Sequence, residues 1–223
     1  MPARLRPTAP IAADAVLVGD PGRALMLAQA LLGKPKMSNH ARGLWGYTGR
    51  TPAGDDLTIQ ATGIGGPSAA LVLTDLAELG VRRAVRVGTC TALAPDLAAG
   101  ALLDVEEAHA WGGPGDGGGA AIRPDAALSR RLTEALGEGG RGGVVASLDT
   151  LHTGGTAAPV AAGDVADMQT AALLARGAEL SLAVAAVLVV IETATGERLS
   201  DEAEQQAASL AGAAAALAVS TSA

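Results

Sequence analysis

Short apolar runs alternate along the chain with longer segments that have helical periodicity. The apolar runs have the length of strands and are bounded by Gly and Pro. The runs that predict strands are residues 15–18, 43–48, 57–61, 84–87, 102–106, 144–147 and 182–190. The segments that predict helices are residues 24–32, 125–136, 167–176 and 203–219, and a further helix that begins within 62–68 and ends near Leu79. Strands that alternate with helices predict a layered α/β domain with a largely parallel or mixed sheet.

The length of 223 residues suits one such domain, and no internal repeat or linker divides the chain. We therefore predict a single domain over residues 1–223. The longest apolar stretch, residues 180–191, is too short to span a bilayer and is rich in Val, so we interpret it as a buried central strand. Arg4 and Arg6 near the start have no apolar segment behind them, so no targeting segment is expected.

Composition narrows the class of protein. Apolar residues make up 49 % of the chain, but aromatic residues only 1 %, so the core must be built from Ala, Val, Leu and Ile. A net charge of −7 gives no electrostatic basis for binding nucleic acid or an anionic membrane. The single Cys excludes an internal disulfide. The three His are too scattered to have the spacing of metal ligands. We expect a cytoplasmic protein without a metal.

Three glycine-rich segments follow predicted strands, at residues 19–23, 63–66 and 86–89. Such turns expose backbone N–H groups, and a helix N-terminus adds positive potential, so together they suit an anion. Arg23 and Arg86 could donate charge-assisted hydrogen bonds to a phosphate, and Thr89 could donate a hydroxyl. The alternative is that each Gly only ends a strand and each Arg is a solvated surface charge.

Two other kinds of site are not supported. The turn at Gly63 lacks the third glycine of a dinucleotide-binding motif, because Ser68 stands there, and Arg86 replaces the acidic residue at the end of the next strand. A nucleophilic serine is equally unsupported, because no G-x-S-x-G motif occurs.

Four motifs follow one another in the order and spacing found in a known family: Val18-Gly-Asp-Pro-Gly-Arg23, Asn39-His-Ala-Arg42-Gly43, Thr62-Gly-Ile-Gly-Gly-Pro-Ser68, and Glu78-Leu-Gly-Val81 with Val85-Arg-Val-Gly-Thr89. This sequence resembles the nucleoside phosphorylases, in the branch of uridine phosphorylase and the hexameric purine nucleoside phosphorylases. The resemblance runs from about Ala15 to Val219 and is strongest before Gly100. It implies a single-domain three-layer αβα sandwich with a central mixed sheet.

The resemblance also implies the residues of a phosphate site. Gly19, Arg23, Arg86 and Thr89 match the family's phosphate-binding positions. Arg42 matches an arginine that a neighbouring subunit contributes to the same phosphate. The expected protein is therefore a homo-oligomer, either a dimer or a hexamer built as a trimer of dimers. Inorganic phosphate is the co-substrate, and no cofactor is expected.

The nucleoside site implied by the resemblance is altered in several places. The residues assigned to it are Thr91, Leu151, His152, Asp167, Met168 and Gln169. Gln169 replaces a glutamate that holds the ribose hydroxyls, and an amide has fewer acceptor sites than a carboxylate. Glu192 matches the aspartate that protonates the leaving base, and it ends a strongly apolar strand where desolvation is expected.

Our leading hypothesis is phosphorolysis of the N-glycosidic bond of a nucleoside, with an ordinary or a modified sugar, to free base and pentose 1-phosphate. Such an enzyme is a pentosyltransferase. Two alternatives remain open: a non-catalytic relative that binds nucleoside or phosphate, and a nucleosidase that uses water in place of phosphate.

Overall fold

The structure is a computed structural model, and it describes residues 4–111, 119–149 and 163–220. The strands are β1 Asp14–Val18, β2 Gly33–Asn39, β3 Gly46–Arg50, β4 Asp56–Ala61, β5 Arg83–Ala92, β6 Leu102–Trp111, β7 Gly140–Leu148, β8 Val165–Asp167 and β9 Ala183–Glu192. The α-helices are α1 Pro21–Leu31, α2 Gly65–Glu78, α3 Ala126–Leu136, α4 Thr170–Glu179 and α5 Asp201–Val219. Short 3-10 turns lie at Ala41–Gly43 and Gly137–Gly139.

All of these strands belong to one mixed sheet with the order β2-β3-β4-β1-β5-β8-β7-β6-β9. Strand β5 also pairs with β9, so the five strands β5, β8, β7, β6 and β9 close into a ring. Strand β1 runs parallel to β4 on one side and to β5 on the other. The carboxyl ends of these three strands therefore lie at the same edge of the sheet.

Helices cover both faces of the sheet, which confirms the three-layer arrangement and the mixed sheet. The buried residues of α2 and α4 pack into one apolar cluster, and those of α1, α3 and α5 pack into another on the opposite face. The inner face of α5 is almost entirely alanine, so this helix can approach the sheet closely. The core is thus filled by small aliphatic side chains, as the composition requires.

Three elements differ from the sequence predictions. Strand β2 was not predicted, because its Gly-Lys-Pro-Lys start has no apolar alternation and it lies at the edge of the sheet. The helix predicted from Asp167 begins at Thr170, because residues 165–167 form β8 and the Asp167 carboxylate accepts a hydrogen bond from the Thr170 N–H. The predicted turn at residues 86–89 is wrong, because β5 continues through it to Ala92.

Among the described residues, no helix is both long and apolar enough to cross a bilayer.

Candidate functional site

The carboxyl ends of β1 and β4 and the middle of β5 surround a cavity of about 630 Å³. Strand β8 pairs antiparallel with β5, so the segment that follows β8 also reaches this cavity. The lining residues are Gly19, Asp20, Pro21, Arg23, Gly63, Ile64, Gly65, Arg86, Gly88, Thr89, Asp167, Met168 and Gln169. A cavity of this volume suits a ligand the size of a small metabolite. The structure therefore brings together most of the residues that the sequence singled out.

Two helices begin at this cavity. In α1 the Asp20 side chain accepts a hydrogen bond from the Arg23 N–H at 2.8 Å and caps the helix. In α2 the N-cap is Ile64, and it makes no side-chain capping bond. The flanking Gly63 and Gly65 have φ values of +75° and +80°, which favour glycine. Ile64 and Gly65 at the start of α2 line the cavity, whereas Gly66 is buried and Pro67 has no N–H. The positive end of a helix favours an anion.

Arg86 lies in the wall of the cavity and is 4 % exposed. Its Nε donates to Thr170 Oγ1 at 3.1 Å, its Nη1 to Gln169 Oε1 at 2.8 Å and its Nη2 to Asp167 Oδ2 at 2.9 Å. The guanidinium lies over Gly88, where a Cβ atom would come within 2.5 Å of Nη2. These contacts use three of the five N–H donors of the arginine, so two remain.

Asp167 is the buried counter-ion of Arg86, and it is 1 % exposed. Besides Arg86, its carboxylate accepts hydrogen bonds from Ser147 Oγ, from the Thr170 N–H at 3.0 Å and from Thr170 Oγ1 at 2.6 Å. Both carboxylate oxygens are therefore occupied by protein groups. Its predicted contact with the nucleoside stays a prediction. Thr170 was not singled out in the sequence, although its position at the start of a helix was a possible signal.

The side chain of Gln169 is also occupied by protein groups. Its Nε2 donates to the carbonyl oxygens of Gly63 at 2.6 Å and Gly65 at 3.4 Å. Its Oε1 accepts from Arg86 and from Thr62 Oγ1, the latter at 3.1 Å. The Thr62 hydroxyl also lies 3.0 Å from the Val18 carbonyl oxygen, and its one hydrogen can serve only one of the two acceptors. Its predicted contact with the sugar stays a prediction.

Arg23 faces a carboxylate that the sequence analysis missed. Its guanidinium forms an ion pair with Glu204 of α5, and the two side chains are 15 % and 27 % exposed. The acidic first turn of α5, with Asp201, Glu202 and Glu204, was the available signal. Both arginines of the cavity are thus paired with a carboxylate of the same chain.

Arg42 does not line this cavity. It lies in the 3-10 turn Ala41–Gly43 with a φ of +59°, and it lines a separate cavity of about 340 Å³. The other residues around that second cavity are Arg4, Arg6, Thr8, His40 and Ala41. Within its own chain Arg42 is therefore separate from Arg23 and Arg86, and its contribution to a neighbouring subunit stays a prediction.

Glu192 is found at the end of β9, where its backbone pairs with Thr91 of β5. Its carboxylate lies 3.4 Å from Arg198 Nε, and its side chain is 35 % exposed. Glu192 is therefore only partly removed from water, and the desolvation expected at the end of this apolar strand stays a prediction. Neither Glu192 nor Thr91 is among the described residues that line the cavity.

Met168 lines the main cavity and also a smaller neighbouring one of about 170 Å³. Leu151 and His152 lie outside the described residues. Within the parts of the chain that the structure describes, no group of three or more His, Cys, Asp or Glu side chains could hold a metal ion.

Relatives of this chain include enzymes of nucleoside metabolism. Over 88 residues it is 41 % identical to the DeoD-type purine nucleoside phosphorylase of Oceanobacillus iheyensis, an alignment that covers 39 % of this chain and 37 % of that protein. Over 91 residues it is 40 % identical to the DeoD-type enzyme of Geobacillus kaustophilus, covering 40 % and 38 %. The matched segment thus spans little more than a third of the length of these relatives.

A solved structure shares the fold over nearly the whole chain. The crystal structure of purine nucleoside phosphorylase from Toxoplasma gondii in complex with immucillin-H superposes with a TM-score of 0.80 and 19 % identity, covering 94 % of this chain and 91 % of that one. A family model described as the phosphorylase superfamily matches residues 14–222. The match covers nearly the whole sequence, and the chain belongs to the phosphorylase superfamily.

Proposed function

We propose that this protein cleaves the N-glycosidic bond of a nucleoside with inorganic phosphate and releases free base and pentose 1-phosphate. The observation that carries the proposal is the cavity in which Arg86, Thr89 and the uncapped N-terminus of α2 face the same space. Backbone N–H groups and a buried guanidinium are suited to hold a phosphate oxyanion. The relatives are named for purine nucleosides, which makes these the first substrates to test.

The chemistry requires a positioned nucleophile and a stabilised leaving group. Phosphate attacks the anomeric carbon while the base departs, and the transition state resembles an oxocarbenium ion. Holding phosphate in line with the scissile bond lowers the barrier by proximity, and fixed donors stabilise the charge that develops. We assign the first task to Gly19, Arg23, Arg86 and Thr89, which line one cavity.

Glu192 is the acid that we propose for the departing base. Its carboxylate is occupied by the ion pair with Arg198, so proton donation requires this pair to open. Thr91 lies opposite Glu192 in the sheet and is the nearest part of β5 to it. With Met168 on the wall of the cavity, these residues are the proposed contacts of the nucleoside.

The charge of the cavity supports a contribution from a second subunit. Arg23 and Arg86 carry two positive charges, whereas Asp20 and Asp167 in the same wall and Glu204, paired with Arg23, carry three negative ones. A phosphate dianion therefore needs a further cation. Within the described part of the chain, the Arg42 side chain makes no hydrogen bond or ion pair, and in our proposal it comes from a neighbouring copy of the chain in a homo-oligomer.

The test is an assay of base and pentose 1-phosphate with a panel of purine, pyrimidine and sugar-modified nucleosides. We expect turnover with phosphate and none without it. Thr89→Val keeps the shape of the side chain but removes a hydroxyl donor, so the KM for phosphate should rise by about tenfold, as for the loss of one hydrogen bond to a charged group. Arg130→Ala, on the exposed surface of α3, is the matched control and should have no effect.

A second candidate function is binding without turnover. It is favoured by the internal pairing of Arg23, Arg86 and Gln169, and by the position of Glu192 outside the cavity lining. Calorimetry that detects a nucleoside or phosphate complex, with no product from any member of the panel, would support this candidate. Release of base without phosphate would instead indicate a nucleosidase.

A further inference from the structure

Arg23 lies between two cavities of the chain. It lines the main cavity, and it also lines a neighbouring cavity of about 380 Å³ between α1 and α5. The carboxylates that line this acidic cavity are those of Asp20, Asp201 and Glu204. Among the described residues that line it, Arg23 is the one cation. The same guanidinium therefore has acidic groups on one side and the proposed phosphate cavity on the other.

The guanidinium of Arg23 is directed to the acidic side. Its Nη2 donates a hydrogen bond to Oε1 of Glu204, and the two side chains are 15 % and 27 % exposed. Glu204 belongs to the first turn of α5, where the positive end of the helix favours an ionised carboxylate. Arg23 and Glu204 thus form a pair of full charges that is only partly open to water.

The two arginines of the main cavity differ in how firmly their carboxylate partners are held. Asp167, the partner of Arg86, is 1 % exposed and also accepts hydrogen bonds from Ser147 and Thr170. Glu204, in contrast, has Arg23 as its one hydrogen-bond partner within the described part of the chain. Separation of the Arg23–Glu204 pair leaves two side chains that water can reach. Exchange of a carboxylate for phosphate is therefore expected at Arg23 and not at Arg86.

We propose that Glu204 competes with phosphate for Arg23 and in this way sets the affinity of the main cavity for phosphate. This inference rests on the proposed function, because it assigns phosphate to the same cavity. Phosphate either takes the guanidinium from Glu204 or binds beside an arginine whose charge is already balanced, and each of these lowers affinity. Glu204 acts through Arg23, so it is a positioning residue that touches neither phosphate nor nucleoside.

The test is Glu204→Gln, which keeps the size of the side chain and removes its charge. A neutral amide oxygen is a weaker acceptor for a guanidinium than a carboxylate. We expect the Kd for inorganic phosphate, measured by calorimetry, to fall by about three- to tenfold, the range for loss of a partly exposed ion pair. Damage to the fold would not produce such a gain in affinity. In turnover, the KM for phosphate should fall and the KM for the nucleoside should stay unchanged.

Glu202→Gln is the matched control. Glu202 lies in the same turn of α5, is exposed and lines neither cavity, so this variant removes the same charge without touching Arg23. Its Kd for phosphate should equal that of wild type. In an Arg23→Gln background, Glu204→Gln should give no gain, because the arginine for which the two anions compete is gone. A gain that persists in that background would show a general effect of charge and would overturn the inference.

Unchanged or weaker phosphate binding by Glu204→Gln would also overturn the inference, and weaker binding would show that Glu204 holds Arg23 in place for phosphate. If Glu204→Gln does not fold, Glu204→Ala serves instead and should show the same gain. Tighter phosphate binding by either variant without turnover of any nucleoside supports the inference and contradicts the proposed function. Turnover with equal phosphate binding by variant and wild type contradicts the inference alone. Absence of phosphate binding by all of these proteins contradicts both.

Discussion

Another buried carboxyl lies in β6, outside the lining of the main cavity. Asp104 is 5 % exposed, and its Oδ1 has no hydrogen-bond partner among the described residues. Its Oδ2 contacts the hydroxyl of Thr133 in α3, and that hydroxyl also lies 3.0 Å from the carbonyl of Ser129. Burial raises the pKa of Asp104, the nearby charge of Glu106 raises it further, and the Thr133 bond lowers it. One hydroxyl hydrogen cannot serve both acceptors, which favours a protonated carboxyl.

This pKa predicts a dependence of stability on pH. The folded pKa of Asp104 lies above the unfolded value of about 3.9. The contribution of this carboxyl to the stability of the folded protein is therefore fully present below about pH 3.9 and is lost as pH rises through the folded pKa. Asp104→Asn cannot titrate and should lack this loss. We compare the free energy of unfolding of wild type with that of Asp104→Asn at each pH. The difference, wild type minus variant, should be lower at neutral pH than at acid pH by on the order of 1 kcal/mol.

Urea unfolding of wild type and Asp104→Asn at a series of pH values measures the effect. Taking the difference between the two proteins removes the contribution of the other titrating groups. A difference that does not change between acid and neutral pH would show that Asp104 has an ordinary pKa.

At the scale of elements, a close approach of α4 to β9 in the ring of strands is made possible by one glycine. Gly177 of α4 packs against Val184 of β9, and a Cβ atom at Gly177 would come within 2.4 Å of Val184 Cγ2 and 3.0 Å of its Cβ. Val184 is branched at Cβ and 3 % exposed, so it has little freedom to move. This contact holds α4, and with it the Asp167–Gln169 segment, against the sheet.

Gly177→Ala should therefore destabilise the protein by about 1–3 kcal/mol, as overpacking does. Helix propensity alone predicts the opposite, a gain of about 1 kcal/mol from replacing Gly by Ala. Chemical denaturation of Gly177→Ala in the wild-type and Val184→Ala backgrounds separates the cost of overpacking from the gain in helix propensity. In the second background the cost should fall, because the clashing methyl groups are gone. Equal cost in both backgrounds would exclude this contact as the cause.

The elements that the sequence predicted well have strong local signals. Asp125 was placed at the start of a predicted helix, and it is the N-cap of α3. The apolar run of residues 182–190 is β9, buried on both faces between the two helical layers. Strands β2 and β8 were missed because they have no such signal, and only their neighbours in the sheet make them strands.

At the scale of the whole molecule, the basic cavity of Arg4, Arg6, His40 and Arg42 lies apart from the main cavity of the same chain. The chain as a whole carries a net charge of −7, so the three arginines that line this second cavity are a local excess of positive charge. If Arg42 acts on the phosphate of a neighbouring copy, each complete site needs two chains.

Subunit complementation tests this arrangement. Arg42→Ala and Arg86→Lys should each be nearly inactive, because each lacks one part of every site. Co-expression of the two variants produces mixed oligomers, in which some sites receive Arg86 from one chain and Arg42 from the other. We expect these mixtures, measured by phosphate-dependent base release, to be more active than either variant. Activity no higher than the mean of the two would contradict a contribution of Arg42 to the site of a neighbouring chain.

The sequence by itself determined the alternation of strands and helices, the small aliphatic core and the glycine-rich ends of β1 and β4, because each depends on neighbouring residues. It also singled out Arg23, Arg86 and Thr89. Only the tertiary structure decided that Arg23 pairs with Glu204, 181 residues away, and that Arg86 is held by Asp167 and Gln169, 81 and 83 residues away. Those partners are brought together by the order of strands in the sheet and the packing of α5, which no local pattern encodes.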